Sequence, residues 1–526
     1  MIAAERQAVG HRESRGLRRP VPGLGMMAGA ALALALIPAF IQLGFRTSYA
    51  IPLSLLIGLA SQHLFRLVFN SRSTDLFQPA SLVCAYFLSH FALRAFYLAA
   101  VPFTARIGRN PYDDYLEIAL WSACAGFIAF SVGSGSQIAR AWGRRLHSAG
   151  LAWPQNVPSY RILAMLVISL ACLAYMFNNG QVVGNFGNRD FQNHPPPGIV
   201  ILLENLVDLA WIAALIGLTI PGRKARKSEA WLLLGLCMLV MGARLAVTGG
   251  KIALIEPMLE AALVIHYGTR RFRIWEMLAI GLPTLLLAFG IVNFYRFVVV
   301  GSRGSPKSVQ DLVSRVSTAS DLLTAKGGPA QKRSALDQMV ERDAGVDALA
   351  LVMKYTPHPF PFYYGTHLVQ VPLTFMPRQL WKDKPIDLPS VVFETTYLGE
   401  SIDYNGFSSI HLISDMYRNF AMFGILGGMF LFGVVAWTFY LFCSPSRQNP
   451  AGIFIYAALF PEIIHSLEAD LGNTLVNLIR LGLLVAVAAA FLGVRYRSPQ
   501  RMHARAVTDP TIRSAAALSP AGAGLR

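Results

Sequence analysis

The feature that most limits what this chain can fold into is a succession of apolar runs, each about as long as a bilayer is thick. A transmembrane helix needs about 20 mostly apolar residues. Twelve candidate stretches can be marked, at 24–45, 49–65, 79–101, 116–137, 160–177, 199–220, 230–248, 252–268, 275–298, 412–442, 452–467 and 472–494. Charged residues make up 14% of the chain and hydrophobic ones 54%, against about 25% charged in soluble domains. A chain of 526 residues with so few charges cannot coat a globule with polar surface. This excludes a soluble enzyme, a disordered chain and a nucleic-acid-binding domain. The expected fold class is an all-α polytopic integral membrane protein of about twelve transmembrane helices.

The net charge of +17 is read through its placement. Segments assigned to the inside hold 25 Lys/Arg and the short outside loops hold 5, the asymmetry that places basic loops in the cytoplasm. Both termini are therefore expected to be cytoplasmic, in a multi-pass membrane protein with membrane lipid and not nucleic acid as its surroundings. No A-x-A-like cleavage site follows the first apolar run, so it is read as an uncleaved span. The chain divides into nine spans over 1–298, a large external (periplasmic) loop over 299–410 between spans nine and ten, three spans over 411–494, and a basic tail over 495–526 expected to be disordered. The loop's first half is polar with helical spacing. Its second half is punctuated by prolines and rich in aromatics, and is expected to lie extended on the membrane surface. The five cysteines fall in apolar runs without a CxxC pair, which argues against disulfides or a zinc site.

Four arginines lie inside spans: Arg94, Arg244, Arg418 and Arg480, with Arg296 near the outer end of span nine. An arginine in hydrocarbon costs several kcal/mol unless paired or hydrated. Each could snorkel to the near interface. Together, on the outer side, they suit a lipid-linked diphosphate, which forked guanidinium donors bind in bidentate fashion. Carboxylates stand near them: Glu204 and Asp208 on span six, Glu256 and Glu260 on span eight, then Asp415, Glu462, Glu468 and Asp470. For the span-six and span-eight pairs, structural pairing with the arginines is the preferred reading. His358 and His367 show no metal-ligand spacing, and no metal or other cofactor is expected. At the start of span ten, His411, Asp415 and Arg418 are spaced i, i+4, i+7, along one stripe of a helix.

The run Pro-Arg-Gln-Leu-Trp-Lys-Asp-Lys-Pro over 377–385, followed by Ser-Asp-Met-Tyr-Arg-Asn-Phe-Ala-Met-Phe-Gly over 414–424, resembles the external-loop signature of Wzy-type O-antigen and exopolysaccharide repeat-unit polymerases. Gly-Ala-Arg over 242–244 and Gly-Gly-Lys over 249–251 fit as well. The resemblance covers roughly 240–480 by motif. It departs from the family pattern at Asp415, where Glu is usual, and at Ala421, where Gly is usual.

The resemblance implies a glycosyltransferase of GT-C-like architecture. It would polymerise oligosaccharide repeat units carried on undecaprenyl diphosphate at the outer face of the bacterial inner membrane. The first external loop, 46–50, has no carboxylate, so the transfer is expected to need no metal. Proteins that set chain length and a flippase would be its partners. Transfer breaks an anomeric carbon–phosphate bond, so cations must stabilise the departing diphosphate and a base must take the acceptor's proton. The expected catalytic residues are His411 or Asp415 as base and Arg418 on the diphosphate. The expected substrate contacts are Arg94, Arg244, Lys251, Arg296, Arg378, Trp381, Lys382, Lys384, Tyr417 and Arg480. An O-antigen ligase using a lipid A core acceptor and a lipid-linked oligosaccharide flippase are the alternatives.

Overall fold

In a bilayer every backbone N–H and C=O must find its partner within the protein, which an apolar run achieves by coiling into a helix. The computed structural model describes residues 24–69, 75–100, 113–147, 151–179, 198–220, 227–248, 252–279, 345–374 and 410–496, with a few isolated positions between. Among these the long elements are helices: α1 (Leu24–Gln42), α2 (Thr47–Phe69), α3 (Pro79–Ala100), α4 (Asp113–Gly135), α5 (Gln137–His147), α6 (Ser159–Asn178), α7 (Gly198–Thr219), α8 (Lys227–Thr248), α9 (Ile252–Gly268), α10 (Gly345–Tyr355), α11 (Leu412–Cys443), α12 (Pro450–Glu468) and α13 (Leu471–Leu492). Ten are long and apolar enough to cross a membrane: α1 to α4, α6 to α8, and α11 to α13. The chain is a polytopic α-helical membrane protein. Of the two further expected spans, 252–268 forms α9, which has 17 residues, and 275–298 falls largely outside the described residues.

Two apolar cores organise the helices. One packs α6 to α9 against α12 and α13, and the other packs α2, α3, α4, α10 and the first part of α11. The closest seam joins α4 to α11, where a Cβ at Gly133 would strike the Phe430 carbonyl and one at Gly433 the Phe130 carbonyl. Small residues allow such backbone approach between membrane helices. At the basic end of the bundle, β1 (Leu151–Ala152) pairs antiparallel with β2 (Arg495–Tyr496). The opposite end, which carries 345–374, is called the loop end below.

Two features of the loop end depart from the sequence expectation. The first half of the external loop was expected to be polar, yet α10 is buried almost all round, with Val346, Leu349, Ala350 and Val352 fully enclosed. It is tied to α3 by Arg94, whose guanidinium grips Asp347 through Nε (2.8 Å) and Nη2 (3.2 Å). The loop's second half is not simply extended. After α10 the chain makes a turn of 3-10 helix at Thr366–Gln370 and a short helix at Val371–Thr374.

The tenth span does not begin as one straight helix. α11 breaks at Phe420 (φ −140°, ψ 26°) and Ala421 (φ 52°, ψ −142°). The Met416 carbonyl lies against Gly424 and its thioether against Gly428, while Ile413 meets Ile425 and Met429 around Gly126. Residues 412–419 thus run antiparallel to the top of the long segment. They form a short re-entrant helix ending in a reversal, followed by the membrane-crossing part. Broken helix at this depth is tolerated only where it is enclosed by protein or lines a cavity. Ala421 holds a conformation that glycine adopts freely and L-residues rarely do.

Candidate functional site

The short helix places Asp415 and Arg418 inside the bundle, while His411 stands at its N-cap with φ 60° and ψ 140°, so the expected three-residue helical stripe is not formed, although all three side chains are buried. Asp415 is fully committed. Its Oδ1 accepts from Arg418 Nη2 (2.6 Å) and Nε (3.0 Å). Its Oδ2 accepts from the Leu471 backbone N–H (2.9 Å), at the start of α13. Arg418 also lies over the Tyr363 ring at 4.4 Å, and its Nη1 has no hydrogen-bond partner among the described residues.

His411 points elsewhere. Its Nδ1 is 2.8 Å from the Tyr86 hydroxyl. That hydroxyl donates to the Leu467 carbonyl (2.8 Å), so Nδ1 carries the proton and Nε2 the lone pair. The expected orientation of one catalytic group by the other is therefore not made through their side chains. His90 lies beside His411, with ring centroids 5.5 Å apart, and faces Glu468 at 3.3 Å. His90 sits in a π-helical turn, Phe87–Leu93, a distortion frequent at functional sites. Tyr417 is half-buried against Phe362.

Folding also builds a group that linear spacing did not show. His367, Asp415 and Asp470 bring one ligand atom each within 4.8 Å of one another, close enough to hold a metal ion. Arg418 and the N-terminus of α13 already supply positive charge there. Asp470 caps α13 by accepting from the Asn473 N–H (2.9 Å), and its burial pushes its carboxyl above the usual range.

A second site opens on the other side of the α12–α13 turn. A cavity of about 270 Å³ lies among the loop-end halves of α7, α8, α9, α12 and α13. It is lined by five carboxylates (Glu204, Asp208, Glu256, Glu260 and Glu462), by Arg244 and Arg480, by His465, and by Asn205 and Asn477. Arg244 donates to Asp208 (2.6 Å) and Asn205 (2.8 Å) and lies 3.7 Å from Glu204 and 3.6 Å from Glu256. His465 sits loosely between Glu462 (3.6 Å) and Glu256 (3.7 Å). Glu204 Oε2, Asp208 Oδ1, Glu260 Oε2 and Glu462 Oε1 are buried without a hydrogen-bond partner among the described residues. The expected pairing of these carboxylates with arginine is made, and it leaves acceptors over.

Of the arginines expected to converge, Arg244 and Arg480 share this cavity, whereas Arg94 stands apart on Asp347. Lys251, Arg296, Arg378, Trp381, Lys382 and Lys384 lie outside the described residues. His465, His90 and His367 were not singled out as site residues. For His465 a signal existed, since Glu462 and His465 are polar residues one helical turn apart within an apolar run. For the other two the partners come from distant segments.

Residues 191–443, just under half of the chain, match the model of a domain of unknown function (DUF8712). The matched stretch contains His411, Asp415, Arg418 and the cavity residues of α7 to α9, and ends before α12 and α13. Comparison with curated proteins gives no match, and neither does comparison with solved structures.

Proposed function

We propose that the protein polymerises lipid-linked oligosaccharide repeat units at the outer face of the bacterial inner membrane, with the loop end facing outward and both termini in the cytoplasm. The observation that carries this reading is the cavity: within an apolar bundle it gathers carboxylates, guanidiniums, amides and an imidazole, the groups that recognise sugar hydroxyls. Its charge makes it the sugar's place and not the diphosphate's. The diphosphate belongs with the cations of the external loop, Arg378, Lys382 and Lys384, and with Arg418.

In the transfer, the acceptor hydroxyl oxygen bonds to the anomeric carbon of the donor. The anomeric carbon–oxygen bond to phosphate breaks, and its electron pair leaves with the undecaprenyl diphosphate. The hydroxyl proton passes to a base. His465 lines the cavity and takes this role more directly than His411, which is 3% exposed and engaged with Tyr86, or Asp415, which is saturated. The undecaprenyl diphosphate is already an activated leaving group, so the chemistry asks for no nucleotide.

A flippase is the second reading, since a polar cavity bounded by five helices also suits translocation. Against it, the lining residues lie in the loop-end halves of those helices, so the cavity opens toward one side only. Reconstitution of the purified chain with a lipid-linked repeat unit separates the readings. A ladder of products is expected. Transfer to a lipid A core alone would make the protein a ligase, and translocation without a ladder would make it a flippase.

A further inference from the structure

We propose that the cavity is a subsite for a sugar bearing a primary ammonium, an amino sugar of the glycan, and that it rejects uronic acids. The proposal deepens the glycan-polymerase reading and rests on it for the source of the sugar.

Four buried carboxylate oxygens in the cavity have no partner among the described residues, and leaving buried acceptors unpaired is costly. An occupant that brings donors satisfies them. Water brings donors but no positive charge, and the cavity carries more carboxylates than cations. Arg244 is engaged by Asp208 and Asn205.

A metal ion would bring charge, but it needs its oxygens within one coordination sphere. The metal-sized group found among the described residues is His367, Asp415 and Asp470, not these carboxylates. The donors must instead be spread over several ångströms. A pyranose ring with hydroxyls around its edge and an ammonium, itself a threefold donor, has that distribution. The volume of about 270 Å³ lies near the lower bound of about 300 Å³ for small-molecule sites, which suits one sugar residue. Glu260, 2% exposed, is the group best placed to meet the ammonium, because the other three carboxylates each have Arg244 or His465 within ion-pair distance and Glu260 has no such partner among the described residues. A uronic acid would set a further carboxylate among five.

The test uses the full chain purified in detergent at neutral pH, with D-glucosamine, N-acetylglucosamine, glucose, glucuronate and ethanolamine as probes, read by saturation-transfer NMR and calorimetry. Glucosamine is expected to bind at least about tenfold more tightly than N-acetylglucosamine, the size of one charge-assisted hydrogen bond, and glucuronate is expected not to bind. Glu260→Gln and Glu462→Gln should each weaken glucosamine about tenfold while the elution profile stays monodisperse; either variant suffices if the other fails to fold.

Equal binding of all four sugars, no binding of any, or glucosamine binding untouched by both variants overturns the proposal. So does ethanolamine binding as tightly as glucosamine, which would mark a lipid headgroup as the occupant. Selective glucosamine binding with no ladder in reconstitution would retain the site and remove the polymerase reading. A ladder with unselective binding would do the reverse.

Discussion

Two buried carboxylate sites at opposite ends of the bundle show what a membrane protein does with a costly group. At the basic end, Asp75 is saturated. Tyr267 and Tyr440 each donate to Oδ2 at 2.7 Å, the Phe77 N–H donates to Oδ1 at 3.0 Å, and His266 Nε2 lies 3.2 Å away. The Phe272 N–H occupies His266 Nδ1 (2.9 Å), so Nε2 is the nitrogen that faces Asp75, at ion-pair distance but outside hydrogen-bond geometry. Burial alone would raise the Asp75 carboxyl. The contacts with His266, Tyr440 and Tyr267 outweigh it and hold the group below its ordinary value of 3.8.

At the loop end, the cavity carboxylates have fewer donors than acceptors among the described residues. Residue type and burial are alike in the two places; the supply of donors differs. A saturated carboxylate fastens helices together, and an under-supplied one leaves its acceptors to water or, on the reading proposed above, to a sugar. By the same measure Asp415 belongs with Asp75, although its place beside Arg418 on a helical stripe suggested catalysis.

Substitutions that remove one partner at a time can break this contrast. The largest effect is expected at Asp415. Arg418→Leu removes the counter-ion of this buried carboxylate, leaving it only the N–H groups of Leu471 and Asn419, and should cost about 3–5 kcal/mol, seen as a large drop in thermal unfolding temperature in detergent. A shift no larger than that of a surface substitution would place Asp415 with the cavity.

Next, Tyr440→Phe removes one hydrogen bond to a charged group and should cost about 1.5–3 kcal/mol. The Asp75 contribution also has a pH signature. Because the folded value is depressed, the stability it gives is full above the unfolded value of 3.8 and is lost as pH falls through the lower, folded one. The gap between wild type and Asp75→Asn should therefore narrow on acidification below about pH 4, and a gap constant through that range would contradict the assignment.

Ala421→Gly should raise stability by about 1 kcal/mol by relieving a positive φ; an unchanged or lower unfolding temperature would mean that the reversal is not strained. The smallest effect on stability belongs to Glu260→Gln, within about 0.5 kcal/mol or stabilising. That same change should cut polymer yield in reconstitution at least about tenfold. A stability loss like that of Arg418→Leu would show that Glu260 is structural.

Much of the architecture was legible in the sequence because bilayer thickness imposes a length on apolar runs. The expected 252–268 coincides with α9, and 412–442 is within a residue of α11. The reversal at Phe420–Ala421 was not legible from hydropathy, since Met416 to Met422 reads as ordinary amphipathic helix. Its one trace was Ala421, one of the two positions at which the sequence departs from the pattern it was expected to follow. Asp415 and Arg418 do stand one helical turn apart, but His411 precedes the helix at φ 60° and ψ 140° and leaves the expected stripe, and spacing alone does not say what each residue meets. Asp415 meets Leu471 and His411 meets Tyr86, from segments 56 and 325 residues distant. Arg244 was legible as a paired arginine. The surplus of acceptors around it was not, because it depends on how five helices share one space.

The reversal in α11 also bears on how the chain enters the membrane. A segment that goes in and comes out on the same side adds no crossing, so 32 residues of apolar sequence count once in the parity that fixes sidedness. Residues 412–419 are too short to partition into lipid alone. They pack instead against α4, at the Gly126 face. Reporter fusions made just before 411 and just after 421 should therefore report the same side of the membrane.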